Sequence, residues 1–337
     1  MTESPRSTVR DRMRMPRRAT GPSPRWLPWT RSALGVAVLV TLLGQLGVGP
    51  FVTALREISG WGLLAALVVT VGTTACCAWR WSVVATGLGA GIHLRAAVAA
   101  YYRSQLLNAT LPGGVLGDVH RAICHGRAAQ QVGRGVRSVV WERSLGQGVQ
   151  LALTVVVLLL LRAPVHVPAV MALVGLVAFA IVVALVRIVG LLADDLRLIL
   201  RAPGAAVGIA LASCLAVAGH VVVFLVAIAS AGVEAPVAQQ VVLALIVLLG
   251  ATIPANIAGW GMREGVAAWA FQTAGFGAGA GITVAVVYGL LSLASVLPGV
   301  FLLVTRTPGA SPVERSRPGR TCGSARCAAT GSIVGAR

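Results

Sequence analysis

The chain is 337 residues long, 57% hydrophobic and only 11% charged, with a mean hydropathy of +0.85, which excludes an ordinary soluble domain. Its net charge of +18 sets 28 basic residues, all arginine, against 10 acids. The arginines crowd into the two ends and one central segment. Positive-inside topology accounts for that, and no folded basic domain for nucleic acid is present.

Residues 1–31 carry eight arginines and several prolines without hydrophobic period, which predicts a disordered cytosolic arm. Ser32 to Phe51 reads as a first span. No small-x-small cleavage site closes it, so it is expected to stay uncleaved. Trp61 to Ala78 is the second span, and the Trp79-Arg80-Trp81 that follows reads as an interfacial aromatic end. Residues 82–137 form a less hydrophobic, arginine- and glycine-rich segment on the cytosolic side. Further spans are expected at Val139 to Leu161, Val167 to Val186, Ala205 to Ala231 and Ile282 to Val304. Residues 305–337 hold six arginines and read as a second disordered cytosolic tail, leaving 32–304 as the membrane domain. Arginine without lysine fits a bacterium with GC-rich coding, and the expected location is the plasma membrane.

Two matching interruptions stand out against this background. Ala109-Thr110-Leu111-Pro112 continues through Gly113-Gly114 to Gly117, Asp118 and Arg121, and Ala251-Thr252-Ile253-Pro254 continues through Asn256, Gly259 and Gly261 to Arg263-Glu264. In lipid, a broken helix is tolerated only where protein or a watery cavity satisfies its backbone, and secondary transporters place such breaks at corresponding points of two repeats. The match suggests an inverted repeat. Charge parity points the same way: for both arginine-rich ends to be cytosolic, the region Ala238 to Gly281 must either add one span, Gly265 to Gly281, or dip in and return as a re-entrant hairpin. The glycines at 275, 277, 279 and 281 make a poor lipid-facing helix and favour the hairpin. The expected fold is therefore all-α and polytopic, with about six to eight transmembrane helices, one or two of them broken or re-entrant.

Around the first break, Tyr101, Gln105 and Asn108 align at i, i+4, i+7, as a cavity lining or as the polar face of a surface helix. Arg143, Gln147 and Gln150 share a face of the third clear span, beside Glu142. Amides there are costly unless they meet protein or water. Three clusters are expected to converge: Asn108/Asp118/Arg121, Glu142/Arg143/Gln147 and Asn256/Arg263/Glu264. His220, inside a span, reads as a packing contact. The six cysteines have no metal or disulfide spacing, the five histidines are scattered, and no catalytic or cofactor-binding pattern occurs, so no metal or cofactor is expected and the question of enzyme activity stays open, leaning towards none.

The run from Asn108 to Gly114 with Gly117-Asp118-Val119-His120-Arg121, then Trp141-Glu142-Arg143, then Pro254 through Gly259-Trp260-Gly261-Met262-Arg263-Glu264, resembles the lysylphosphatidylglycerol synthase transmembrane-region family, also called the flippase-like domain family, over Ser32 to Val304. The resemblance implies an integral membrane fold with re-entrant elements, whose relatives move aminoacylated or glycosylated lipids between leaflets. It also implies a translocation site at Asn108, Asp118, Arg121, Glu142, Arg143, Arg263 and Glu264. Pro112, Gly113, Gly114, Gln147, Pro254, Asn256, Gly259 and Gly261 would shape it. Trp260 stands where the family more often has a Gly-Gly-x-Gly turn, so the lipid is not carried over. Only the arginine-rich tail follows Val304, so lysyl transfer is not expected. The expectation is a transporter of an anionic, aminoacylated or glycosylated lipid, with an acid among Asp118, Glu142 and Glu264 open to proton exchange. A scaffold for a separately encoded lipid or cell-envelope enzyme and a membrane-embedded transferase remain open, as does the oligomeric state.

Overall fold

The computed structural model describes residues 58–111, 114–161, 192–252 and 262–304. Among these residues every regular element is a helix: α1 (Gly60–Gly87), α2 (Leu94–Thr110), α3 (Leu116–Ala128), α4 (Val132–Leu160), α5 (Leu192–Leu200), α6 (Ala205–Ser230), α7 (Val237–Gly250), α8 (Met262–Thr273), α9 (Ala278–Val296) and α10 (Pro298–Val304). Among the described residues, four stretches are long and apolar enough to cross a membrane: α1, α4, α6, and α9 with the start of α10. They match four of the expected spans and make this an all-α polytopic membrane protein. The expected spans Ser32 to Phe51 and Val167 to Val186 lie outside the described residues, as do Pro112, Gly113, Pro254, Asn256, Gly259 and Gly261.

Three boundaries differ from the sequence reading. Helix α1 does not end at Ala78 but continues to Gly87, carrying Trp79, Arg80 and Trp81 with it. Trp81 is fully enclosed and Arg80 is buried, so of this triplet only Trp79 faces outward. Its hydrophobic period resumes at Val83-Val84-Ala85, and Val84 and Ala85 are completely buried. Helix α4 starts at Val132, seven residues ahead of the expected Val139, and the last span starts at Ala278 and is interrupted at Pro298. Proline at the first position of α10 lacks the amide that would continue α9 but suits a new helical start.

Short helices flank both breaks. Helices α2 and α3 run antiparallel, with Tyr101 beside Arg121, Ser104 beside Asp118 and Asn108 beside Gly117. Helices α7 and α8 also pack on one another, with Gly250 against Val266. At 14 and 12 residues they are about 21 and 18 Å long, short of a hydrocarbon core of about 30 Å. The single extra span at Gly265 to Gly281 does not form. Helix α8 stops at Thr273, and Gly275 and Gly277 turn the chain at φ of 88° and 87°, angles that glycine alone adopts without strain. Helix α2 is not a surface helix either, because it packs between α1, α3, α9 and α10 and buries Tyr101, Tyr102, Ser104 and Leu106.

Helices α1 and α6 form the most extensive pair, and α7, α8 and α9 complete a core around Phe224, Ile228, Val247, Phe271, Val284 and Leu291. Lipid tails are as apolar as these side chains, so association relies on close packing through small residues. Gly208 receives the Trp79 ring and Gly219 receives Thr73, both across the α1–α6 seam. Outward, Leu64, Val68 and Val71 of α1 and Val207, Leu211 and Leu215 of α6 stay exposed at helical spacing, as lipid-facing stripes must.

The tightest approach is in the α2–α3 hairpin, where a Cβ on Gly117 would overlap the Ser104 carbonyl and crowd the Asn108 side chain. Gly117→Ala is expected to cost about 1–3 kcal/mol by forcing these helices apart. Gly148, with open space around it on α4, should tolerate alanine without loss. Thermal midpoints of the two variants in detergent would check this, and equal values would contradict the packing described.

Candidate functional site

The hairpin, α1, α4 and α6 converge on one buried ionic network. At its centre is Glu142 of α4, with no exposed surface. Its Oε1 accepts from Arg80 of α1, through Nε at 3.1 Å and through Nη2 in a closer ion pair, and from the Tyr101 hydroxyl of α2 at 3.1 Å. Its Oε2 accepts from Arg121 Nη2 of α3 at 2.7 Å. The guanidinium of Arg121 lies between two rings, 4.8 Å from the centroid of Trp81 and 4.3 Å from that of Tyr101, a cation-aromatic arrangement that gains strength away from water. Arg80 also donates from Nη1 to Ser213 Oγ of α6 at 2.9 Å, and a side chain on Gly146 would collide with its guanidinium.

Asp118 extends the network towards the break. It sits in the first turn of α3, where the exposed amide end of a helix favours an anion. Its Oδ1 accepts from Arg121 Nε at 2.9 Å and from Ser104 Oγ at 2.8 Å, its Oδ2 accepts from Asn108 Nδ2 at 3.2 Å, and Arg143 Nη2 forms an ion pair with Oδ2 at 2.5 Å. Arg143, Arg121 and the amide end of α3 thus surround this carboxylate with positive charge. Three arginines face two acids, so the network carries one positive charge in excess. Two of its buried guanidinium nitrogens, Arg121 Nη1 and Arg143 Nε, have no hydrogen-bond partner.

Two of the three expected clusters thus meet in one network. In the third, Arg263 pairs with its neighbour Glu264 at 2.6 Å and lies over the Tyr288 ring at 5.5 Å. The Tyr288 hydroxyl contacts His220 Nδ1 of α6 at 3.3 Å. Tyr288 and His220 thus connect the Arg263–Glu264 pair to α6, the helix whose Ser213 accepts from Arg80. Gln147 is half-buried one turn along α4 from Arg143, and Gly114 turns the chain at φ 63° ahead of α3. Gln105 accepts instead from Thr74 of α1 at 3.1 Å.

The sequence reading omitted Arg80, Ser104 and Ser213. Arg80 was hidden by its two tryptophans. The apolar period running past it to Ala85 is the signal that it lies within a helix and needs an acid. A separate network ties α5 to α4: Arg137 pairs with the buried Asp195 at 2.5 Å, and Trp141 Nε1 donates to the same carboxylate at 3.2 Å.

Replacing Glu142 by glutamine leaves the buried Arg80 without its counter-ion and Arg121 with Asp118 alone, for an expected loss of about 3–5 kcal/mol. The exposed Asp194–Arg197 pair provides the contrast, since solvent screens it, and Asp194→Asn should leave the thermal midpoint unchanged. A small effect at Glu142 would mean that the network is dispensable to the fold.

No curated protein and no solved structure matches this chain. The family model described as "Lysylphosphatidylglycerol synthase TM region" matches residues 29–299, which include the hairpin, the buried network and the Arg263–Glu264 pair. With four-fifths of its length within that match, the chain belongs to the lysylphosphatidylglycerol synthase transmembrane-region family.

Proposed function

We propose that this chain is a flippase-like transporter that moves an anionic lipid, an aminoacylated or glycosylated one included, between the leaflets of the plasma membrane. The observation that carries this reading is the excess positive charge of a buried network built beside a helix break. Uncompensated charge within a membrane domain is expensive, and its retention there favours a function that needs an anion. Arginine's planar fork suits a phosphate better than a carboxylate alone requires. The two short-helix pairs, α2/α3 and α7/α8, support re-entrant hairpins that bring polar backbone to the depth of a head group.

Exposed arginines support the orientation. Arg95 opens α2, Arg127 closes α3 and Arg134 opens α4, while Arg197 and Arg201 lie on or beside α5, which packs at the Gly87 end of α1. These residues gather at one end of the bundle, the expected cytosolic side. A transferase using Glu142 as general base fits less well, because this carboxylate is enclosed and accepts from three side chains. No observation specifically favours the scaffold reading.

The test is leaflet exchange in liposomes carrying fluorescent anionic and aminoacylated lipids, comparing wild type, Arg143→Ala and Arg263→Ala. Each variant is expected to slow exchange by more than about tenfold while still inserting, as truncating one partner of a buried charge pair does. Folded wild-type protein that moves none of these lipids would overturn the transporter reading. Exchange undiminished in both variants would remove these arginines from it.

A further inference from the structure

Within the network the two acids are held differently. Glu142 is locked between Arg80 and Arg121, whose side chains are 7% and 1% exposed. Asp118 is held by Arg121 and by Arg143, whose side chain is 42% exposed. Arg143 meets Asp118 through Nη2, and its Nε, the donor that would complete a two-pronged grip on an anion, has no hydrogen-bond partner.

We infer that Asp118 is an internal competitor for the anion that Arg143 binds: a lipid phosphodiester reaches Arg143 by displacing the Asp118 carboxylate from it. The inference rests on the transporter reading above and adds the order of events at its site. Four features carry it. Arg143 is the most accessible cation of the network, so an incoming anion meets it first. Asp118 loses only one of four partners in the exchange, keeping Arg121, Ser104 and Asn108, so no buried acid is stranded. Three arginines, two acids and one phosphodiester monoanion sum to zero, whereas a phosphomonoester dianion would leave a net negative charge. Asp118 also stands on a short helix just beyond the break, where the hairpin can yield without unwinding a membrane span, while Gln147 lies one turn from Arg143 to receive the ester oxygens.

Glu142 cannot play this part. Removing it from either guanidinium would expose a charge that the protein has enclosed completely. The network therefore divides into a fixed pair of salt bridges at Glu142 and an exchangeable one at Asp118.

The probe is dioctanoyl phosphatidylglycerol, a monoanionic phosphodiester, with dioctanoyl phosphatidylcholine as the zwitterionic control, titrated into the full chain in detergent. Wild type is expected to prefer phosphatidylglycerol. Asp118→Asn, which keeps the side chain's shape and removes the competing charge, is expected to bind it about tenfold more tightly, the size of an ordinary coupling between two ligands. Asp118→Glu retains the charge and is expected to bind no tighter than wild type. Equal or weaker binding by folded Asp118→Asn, with wild type still preferring phosphatidylglycerol, overturns the competitor and leaves the transporter reading intact. Loss of that preference in wild type counts against the transporter reading itself. Because Asp118 also braces the α2–α3 hairpin, a second measurement uses the unmodified chain: deuterium uptake across residues 114–121 should rise when phosphatidylglycerol is added and stay level with phosphatidylcholine. Uptake that falls or does not change with phosphatidylglycerol also overturns the inference.

Discussion

The carboxylate of Glu142 has to be satisfied where no water can reach it, and the arrangement of four helices follows from how that is done. Arg80 brings α1, Tyr101 brings α2, Arg121 brings α3, and Glu142 itself belongs to α4. Through Ser213, Arg80 draws in α6 as well. A buried charge that loses its partner is far costlier than a lost apolar contact, so each helix is tied to a specific register. Apolar packing tolerates small shifts. A carboxylate shared by two guanidiniums and a phenol does not.

This matters more in a membrane than in water. Helices surrounded by lipid gain little from hiding hydrophobic surface, and small residues at the α1–α6 seam allow close approach without choosing one alignment over the next. The ionic network supplies that choice. It also leaves one positive charge over, concentrated at the edge where α3 meets the break, so the element that fixes the fold and the element suited to an anion are parts of one cluster. Stability and site chemistry cannot then vary independently. A substitution at Arg121 should disturb both, whereas one at Arg143, at the accessible edge, falls mainly on the site.

The sequence made the class, four spans and the two interrupted regions legible, because hydropathy and Pro/Gly breaks act locally. Convergence of Asn108, Asp118 and Arg121 with Glu142 and Arg143 was also readable, since acids and arginines inside apolar surroundings must find one another. What was not readable depended on distant partners. Arg80 between two tryptophans resembles an interfacial end until Glu142, in another helix, is known to meet it. Gln105 shared a stripe with Tyr101 and Asn108 yet turns to Thr74, because α2 is packed on several sides and a helical stripe does not say which neighbour each residue meets. The glycines from 275 to 281 were read as a poor lipid-facing helix. Two of them instead make the turn, and Gly281 lets α9 lie against the Ala267 carbonyl of α8.

The placement of Arg80 bears on how the protein is made. A ribosome completes α1 before α4, and 62 residues separate Arg80 from the carboxylate that neutralises it. An arginine at the middle of a nascent membrane helix costs about 2.5–3.5 kcal/mol at insertion, less nearer an end. Until α4 emerges, that cost is borne by α1 alone or relieved by letting its C-terminal third linger at the interface. Either way a chain truncated before α4 is expected to present a first described span that the insertion machinery holds only weakly.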